Sequence, residues 1–279
     1  TMTDFIELDA DCLAYTAAGR PSRQPILFVH GLMSHRGVWA RTMEALQDEH
    51  YCVAIDLLGF GDSSKPAKGD YSIRAQAERV LQTADRLGFA QFGLAGHSMG
   101  GQIAMYLAAN LAPHRVRKLA SVSGVVTGRL SAYVRLANMQ LVRTGRYIPW
   151  FYELFHTLSR QPRLANWMFN VWFADPAKVP FESWALDRRQ AMNPAIYVSA
   201  YESYRTIKAT DLTPMLKGLS MPVLAIQGEQ DGTVPMTDAR LLQEHVPQTG
   251  LVLFEQCGHF PMYETFETYI KCMKAFFQN

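Results

Sequence analysis

Phe92-Gly93-Leu94-Ala95-Gly96-His97-Ser98-Met99-Gly100-Gly101 is a short apolar run that enters a Gly-x-Ser-x-Gly turn. Helical spacing follows over residues 99–111. Strand, sharp turn and helix in that order put the serine at the top of a sheet with its Oγ lifted clear. The glycines follow from the geometry, because side chains at 96 and 100 would meet neighbouring backbone in so tight a corner. The helix that follows aims its free N–H groups at the turn, where they favour developing negative charge. Ser98 is therefore the candidate nucleophile, with the backbone N–H of Met99 beside it as one oxyanion donor.

The same rhythm extends on both sides. Residues 5–8 and 12–16 read as an early hairpin. Continuous apolar runs at 25–29 and 51–55 read as strands buried on both faces, and 116–122 reads as a further strand. Helices are expected over 38–46 and 73–87, the second closed by Gly88. Alternation of this kind makes right-handed crossovers and a mostly parallel sheet, an α/β fold. The pattern stops near residue 128 and resumes with a strand at 222–227, a helix at 237–245, a strand at 251–254 and a helix at 263–277. One α/β core made of residues 1–127 and 213–279 is expected, interrupted by an all-helical lid over 128–212. That insertion holds 15 of the 32 aromatic residues, including Trp150, Trp167, Trp172 and Trp184. Large side chains there serve a small helical core, and some are expected to roof an apolar pocket.

A serine hydroxyl needs an adjacent base, itself held by a third group. In a parallel sheet, such residues sit just past the carboxyl ends of strands. The segment after 222–227 is Gly228-Glu229-Gln230-Asp231-Gly232-Thr233-Val234-Pro235, and that after 251–254 contains Gly258-His259-Phe260-Pro261. The order Ser98, Asp231, His259 is thus available, with His259 as general base and acid and Asp231 orienting its ring. Glu229 is the rival acid. Among the other histidines, His35, His50, His114, His156 and His245 fall in loops or helices, His97 is too close to Ser98 to serve it, and His30 ends a strand. Asp56 opens Asp56-Leu57-Leu58-Gly59-Phe60-Gly61, which reads as a tight loop. The second oxyanion donor is expected from His30-Gly31-Leu32-Met33, at the backbone N–H of Leu32, with Met33 as its rival.

Bulk properties narrow the partners. Hydrophobic residues are 48% and charged residues 19%, as in a chain with a large core. Twenty-seven Lys and Arg against 25 Asp and Glu leave +2, with no basic block longer than Arg115-Val116-Arg117-Lys118. Nucleic acid and anionic membrane surfaces are therefore not expected as partners. Cys12, Cys52, Cys257 and Cys272 have neither metal nor disulfide-scaffold spacing, and no metal or organic cofactor is expected. No apolar run reaches the roughly 18 residues of a membrane span, so integral membrane association is not expected. A cytoplasmic protein is expected, with a removed N-terminal targeting segment left open because Thr1 precedes Met2.

Taken together, His30-Gly31 with Trp39, Asp56-Leu57-x-Gly59-x-Gly61-x-Ser63, Gly96-His97-Ser98-Met99-Gly100-Gly101, Gly228-x-x-Asp231-x-x-Val234-Pro235 and Gly258-His259-Phe260-Pro261 resemble the α/β-hydrolase fold family over nearly the whole chain. The resemblance implies an eight-stranded sheet flanked by helices, a helical lid inserted after strand six, and a triad of Ser98, Asp231 and His259. Haloalkane dehalogenases and epoxide hydrolases of that family carry aspartate where this chain has Ser98, which disfavours those activities. Met99 departs from the tryptophan usual in proline iminopeptidases. Carbon–carbon bond hydrolases of ring-cleavage products share Ser-Met-Gly-Gly but follow the catalytic histidine with tryptophan, where this chain has Phe260. Arg188-Arg189 would be the counterpart of their lid arginine. The resemblance thus implies a cofactor-independent serine hydrolase of small apolar carboxylic esters, with a carbon–carbon bond hydrolase or a non-catalytic ligand-binding protein as alternatives.

Overall fold

The computed structural model describes residues 2–8, 11–132, 134–135, 144, 148–158, 160–168, 171–179 and 181–278. Its centre is one sheet of eight strands: β1 (Asp4–Leu8), β2 (Asp11–Ala18), β3 (Gln24–Val29), β4 (His50–Ile55), β5 (Phe92–His97), β6 (Val116–Val122), β7 (Val223–Gly228) and β8 (Thr249–Phe254). The spatial order is β1-β2-β4-β3-β5-β6-β7-β8. β1 and β2 form the expected antiparallel hairpin, and β2 joins β4 antiparallel. Every later pairing is parallel. Register aligns the carboxyl ends: Val29 lies opposite Gly96, His97 opposite Val122, and Gly228 opposite Phe254. The loops leaving β3, β5, β7 and β8 therefore open on one edge.

Helices cover the sheet as the apolar periodicity requires. α1 (Ala40–Leu46) follows a 3-10 turn at Arg36–Trp39, whose Gly37 N–H donates to the His35 ring nitrogen Nδ1 at 3.1 Å. Trp39 is fully buried, its ring 5.2 Å from that of Phe28 on β3. α2 (Ile73–Arg86) is capped by Ser72 Oγ and terminated by Gly88 at φ 72°, a left-handed conformation that glycine adopts without strain. The long helix expected over 99–111 is α3 (Met99–Tyr106) followed by a wider turn at Leu107–Leu111. The carboxy-terminal helix breaks at Thr265, dividing residues 261–278 into a short turn and a longer helix (Phe266–Gln278). There the Thr265 hydroxyl donates to the Pro261 carbonyl at 3.2 Å, competing with the regular helical ladder.

Between β6 and β7 the described residues contain α4 (Pro149–Leu158), α5 (Pro162–Met168), α6 (Ala185–Ala191) and α7 (Tyr197–Ala209). The helical pattern read at 136–143 and 145–147 lies outside the described residues. Only part of the aromatic excess behaves as expected. Trp184 is buried among Phe173, Phe181 and Trp172, with ring centroids 5.3–5.9 Å away. Trp150 and Trp167, by contrast, are 69% and 72% exposed and so neither fill a core nor roof a pocket. Periodicity cannot distinguish an aromatic on the inner face of a short helix from one on its outer face when apolar residues occupy both.

Gly100 is the tightest point where helix meets sheet. A Cβ there would stand 2.2 Å from the Val29 carbonyl oxygen and 2.5 Å from that of His30, both main-chain atoms unable to swing aside. Gly100→Ala is expected to cost about 3 kcal/mol. In a chain of this size that is a fall of roughly 6–12 °C in the thermal midpoint. An unchanged midpoint would show that α3 can slide off β3 at no cost.

Candidate active site

Ser98 sits between β5 and α3 at φ 55° and ψ −118°, one of three non-glycine residues with positive φ among those described. Strain of this kind persists only where surrounding bonds enforce it. Here the Ser98 N–H donates to the Val122 carbonyl at 3.0 Å, while its own carbonyl accepts from Gly101, Gln102 and Val125. The turn is fixed from both sides, and the hydroxyl faces a cavity.

His259 leaves the loop after β8 and Asp231 the loop after β7. His259 Nδ1 lies 2.8 Å from Asp231 Oδ2, with side chains 4% and 1% exposed. Three further donors hold the carboxylate: Gln227 Nε2 at 2.7 Å on Oδ2, and the N–H groups of Thr233 (2.7 Å) and Val234 (3.0 Å) on Oδ1. Such an acceptor orients the ring and stabilises it once protonated. Glu229, the rival acid, is exposed and contributes only its backbone N–H, to the Phe254 carbonyl.

Ser98 and His259 line one cavity of about 50 Å³, together with Gly31, Leu32, Met33 and Ser34 from the loop after β3. Ser34 N–H reaches back to the Gly31 carbonyl at 3.3 Å, closing a turn around Leu32 and Met33. Met99, as the first residue of α3, has an N–H with no partner within the helix. Leu130, Val134, Trp172, Asp187 and Ile207 bring the segment between β6 and β7 into the cavity wall. Trp172 is the one tryptophan of that segment lining this cavity among the described residues.

His30 and Asp56 take structural places. His30 Nε2 accepts the Leu57 N–H at 3.0 Å, and burial lowers its pKa to about 4, so it ties β3 to β4 as a neutral ring. Asp56 accepts the Arg36 and Asp62 N–H groups and pairs with the Arg36 guanidinium, fastening the loop after β4. Arg188 lays its guanidinium 3.7 Å from the Phe181 ring centroid, and Arg189 lines an outer groove instead of the Ser98 cavity.

Several supports lie outside the motifs. His97 Nε2 is 2.9 Å from the His259 carbonyl, and the two rings lie 4.7 Å apart. Burial, followed by the neighbouring His259, pushes the His97 pKa well down, so it stays a neutral prop. The His259 N–H donates to the Trp172 carbonyl at 2.7 Å. Glu264 receives the N–H groups of Gly258 and Ala174, each at 2.8 Å, bridging the His259 loop to residue 174. Gln227 could have been found in the sequence, as a polar residue ending an apolar strand four positions before Asp231. The Trp172 carbonyl carries no side-chain signature at all.

A profile of the α/β hydrolase fold matches residues 24–266. The chain belongs to the α/β-hydrolase fold family. Pimeloyl-[acyl-carrier protein] methyl ester esterase of Nitrosomonas europaea is 28% identical over 254 residues, covering 90% of this chain and 94% of that protein. Lipase 1 of Psychrobacter immobilis is 24% identical, covering 95% of this chain and 80% of that lipase. Among solved structures, an esterase from Exiguobacterium antarcticum superposes with a TM-score of 0.83 at 19% identity, covering each chain completely, a likeness of fold. No helix of this hydrolase-family chain, among the described residues, is long and apolar enough to cross a membrane.

Proposed function

We propose that this α/β-hydrolase-fold protein is a serine hydrolase that cleaves carboxylic esters of small apolar substrates through an acyl-enzyme on Ser98. The convergence of the strained Ser98 turn and the His259–Asp231 pair on one cavity carries this reading. The esterase and lipase among its relatives are consistent with it. In the forward step, Ser98 Oγ attacks the ester carbonyl while His259 takes its proton, and Asp231 stabilises the imidazolium. The oxyanion is received by the N–H groups of Met99 and Leu32. His259 then gives its proton to the departing alcohol. Water enters by the same base and releases the acid, restoring Ser98. The remaining parts of the proposal are a core of residues 1–127 and 213–279, a lid over 128–212, and a cytoplasmic protein with no organic cofactor or metal.

A carbon–carbon bond hydrolase would need a cation for its substrate's carboxylate. Arg188 instead stacks on Phe181, and Asp187 puts a carboxylate in the cavity wall.

The test is hydrolysis of p-nitrophenyl esters from acetate to dodecanoate, beside Ser98→Ala. Turnover that vanishes in the variant supports the reading, and turnover that persists defeats it. The acid is assigned separately. Asp231→Asn is expected to lower kcat by about 10⁴-fold, as when a triad carboxylate loses its charge. Glu229→Gln is expected to stay within about twofold of the parent. The reverse order would move the acid to Glu229.

A further inference from the structure

Asp187 stands apart from the motifs and from the acyl-transfer chemistry. It lies on α6, is 2% exposed, and lines the Ser98 cavity. Ser34 Oγ, from the loop that carries Leu32, donates to Asp187 Oδ1 at 2.6 Å. The Tyr263 hydroxyl, four residues beyond His259, donates to Oδ2. Burial, with Asp187 beside it, pushes the Tyr263 pKa well up, so the phenol remains a donor. With both oxygens accepting, the hydrogen-bond pattern is that of an ionised carboxylate.

Its two donors are neutral hydroxyls. His35 Nε2 approaches to 3.9 Å, and no lysine or arginine pairs with Asp187 among the described residues. The adjoining arginines lie elsewhere: Arg188 over the faces of Phe181 and Trp184, Arg189 along the outer groove. A negative charge without a cationic partner thus stands in a wall otherwise made largely of Leu130, Val134, Ile207, Phe260 and Trp172. Between such apolar walls, charges interact far more strongly than in water.

We propose that Asp187 sets the charge selectivity of the Ser98 cavity, admitting esters with neutral acyl chains and rejecting those that carry a second, anionic group. The proposal rests on Ser98 as the nucleophile. Asp187 is a specificity-determining residue in it, and takes no proton from the reacting atoms. Its hydrogen bonds from Ser34 and Tyr263 fix both carboxylate oxygens in the cavity wall.

The experiment compares p-nitrophenyl hexanoate with mono-p-nitrophenyl adipate, which have the same chain length and differ by a terminal carboxylate. In the parent protein, kcat/KM for the hexanoate is expected to exceed that for the adipate by about tenfold or more. In Asp187→Asn, which keeps shape and removes charge, that ratio is expected to fall at least about fivefold while hexanoate turnover persists. A residue that merely braced the loop would lower both rates and leave the ratio alone. An unchanged ratio in Asp187→Asn overturns the proposal. So does a parent protein that hydrolyses both esters within about twofold, a result that needs no variant to fold. Failure of the underlying reading has a different signature, hexanoate turnover surviving in Ser98→Ala.

Discussion

Ser98→Ala is expected to lower kcat/KM toward an apolar aryl ester by at least about 10⁴-fold with little change in thermal midpoint. The loss has one source. Without Oγ no acyl-enzyme forms, and the remaining rate is what the oxyanion donors and binding supply to direct attack by water. The fold is spared for a reason visible in the turn. Alanine keeps the Cβ and meets the same conformational demand at φ 55° as serine does. The bonds holding the turn run from the Ser98 N–H to Val122 and from Gly101, Gln102 and Val125 to its carbonyl, and all are main-chain bonds. Steady-state kinetics with a melting curve on the same preparation check both halves. Residual activity above a few per cent would place the nucleophile elsewhere.

His259→Ala is expected to cost about as much activity, 10⁴-fold or more, together with a measurable loss of stability. The loop should stay in place, because the His259 N–H to Trp172 and the His97 contact to its carbonyl involve backbone atoms of residue 259. What changes is the environment of Asp231. Its carboxylate loses the imidazole and keeps Gln227, Thr233 and Val234, so one of four donors is gone from a buried charge. Removing such a partner costs roughly 1–3 kcal/mol, or about 2–12 °C in midpoint. Full activity in the variant would remove His259 from the mechanism. A variant that melts like its parent would mean that water replaces the ring without penalty.

Short-range chemistry made most of this architecture legible. Gly96-His97-Ser98-Met99-Gly100 fixes a strand–turn–helix because a Cβ on Gly96 would stand 2.2 Å from the Gly100 carbonyl oxygen, and that constraint acts within a few residues. Asp231 and His259 were reachable because parallel strands deliver their following residues to one edge, an outcome of topology. Apart from Gln227, most of the supports were not legible, and the reason is distance along the chain. Ser34 and Asp187 are 153 positions apart, and His97 and His259 are 162 apart. Neither pair leaves a periodic trace. The aromatic insertion failed in a different way, since composition reports how much apolar area exists and is silent on which side of a helix it faces. Trp184 and Trp167 are alike in sequence and opposite in exposure.

Trp172 lines the cavity, and its strip also grips the His259 loop, through the Trp172 carbonyl and through Glu264 to the Ala174 N–H. Raising that strip to let a molecule in would strip the imidazole of its backbone tether at the moment it is needed. Passage and proton transfer cannot share that route. Leu130, Val134 and Ile207 line the cavity too, and they do so with aliphatic side chains that make no hydrogen bond to the His259 loop. The geometry thus separates a flank of the cavity that is hydrogen-bonded to the His259 loop from one made of aliphatic side chains.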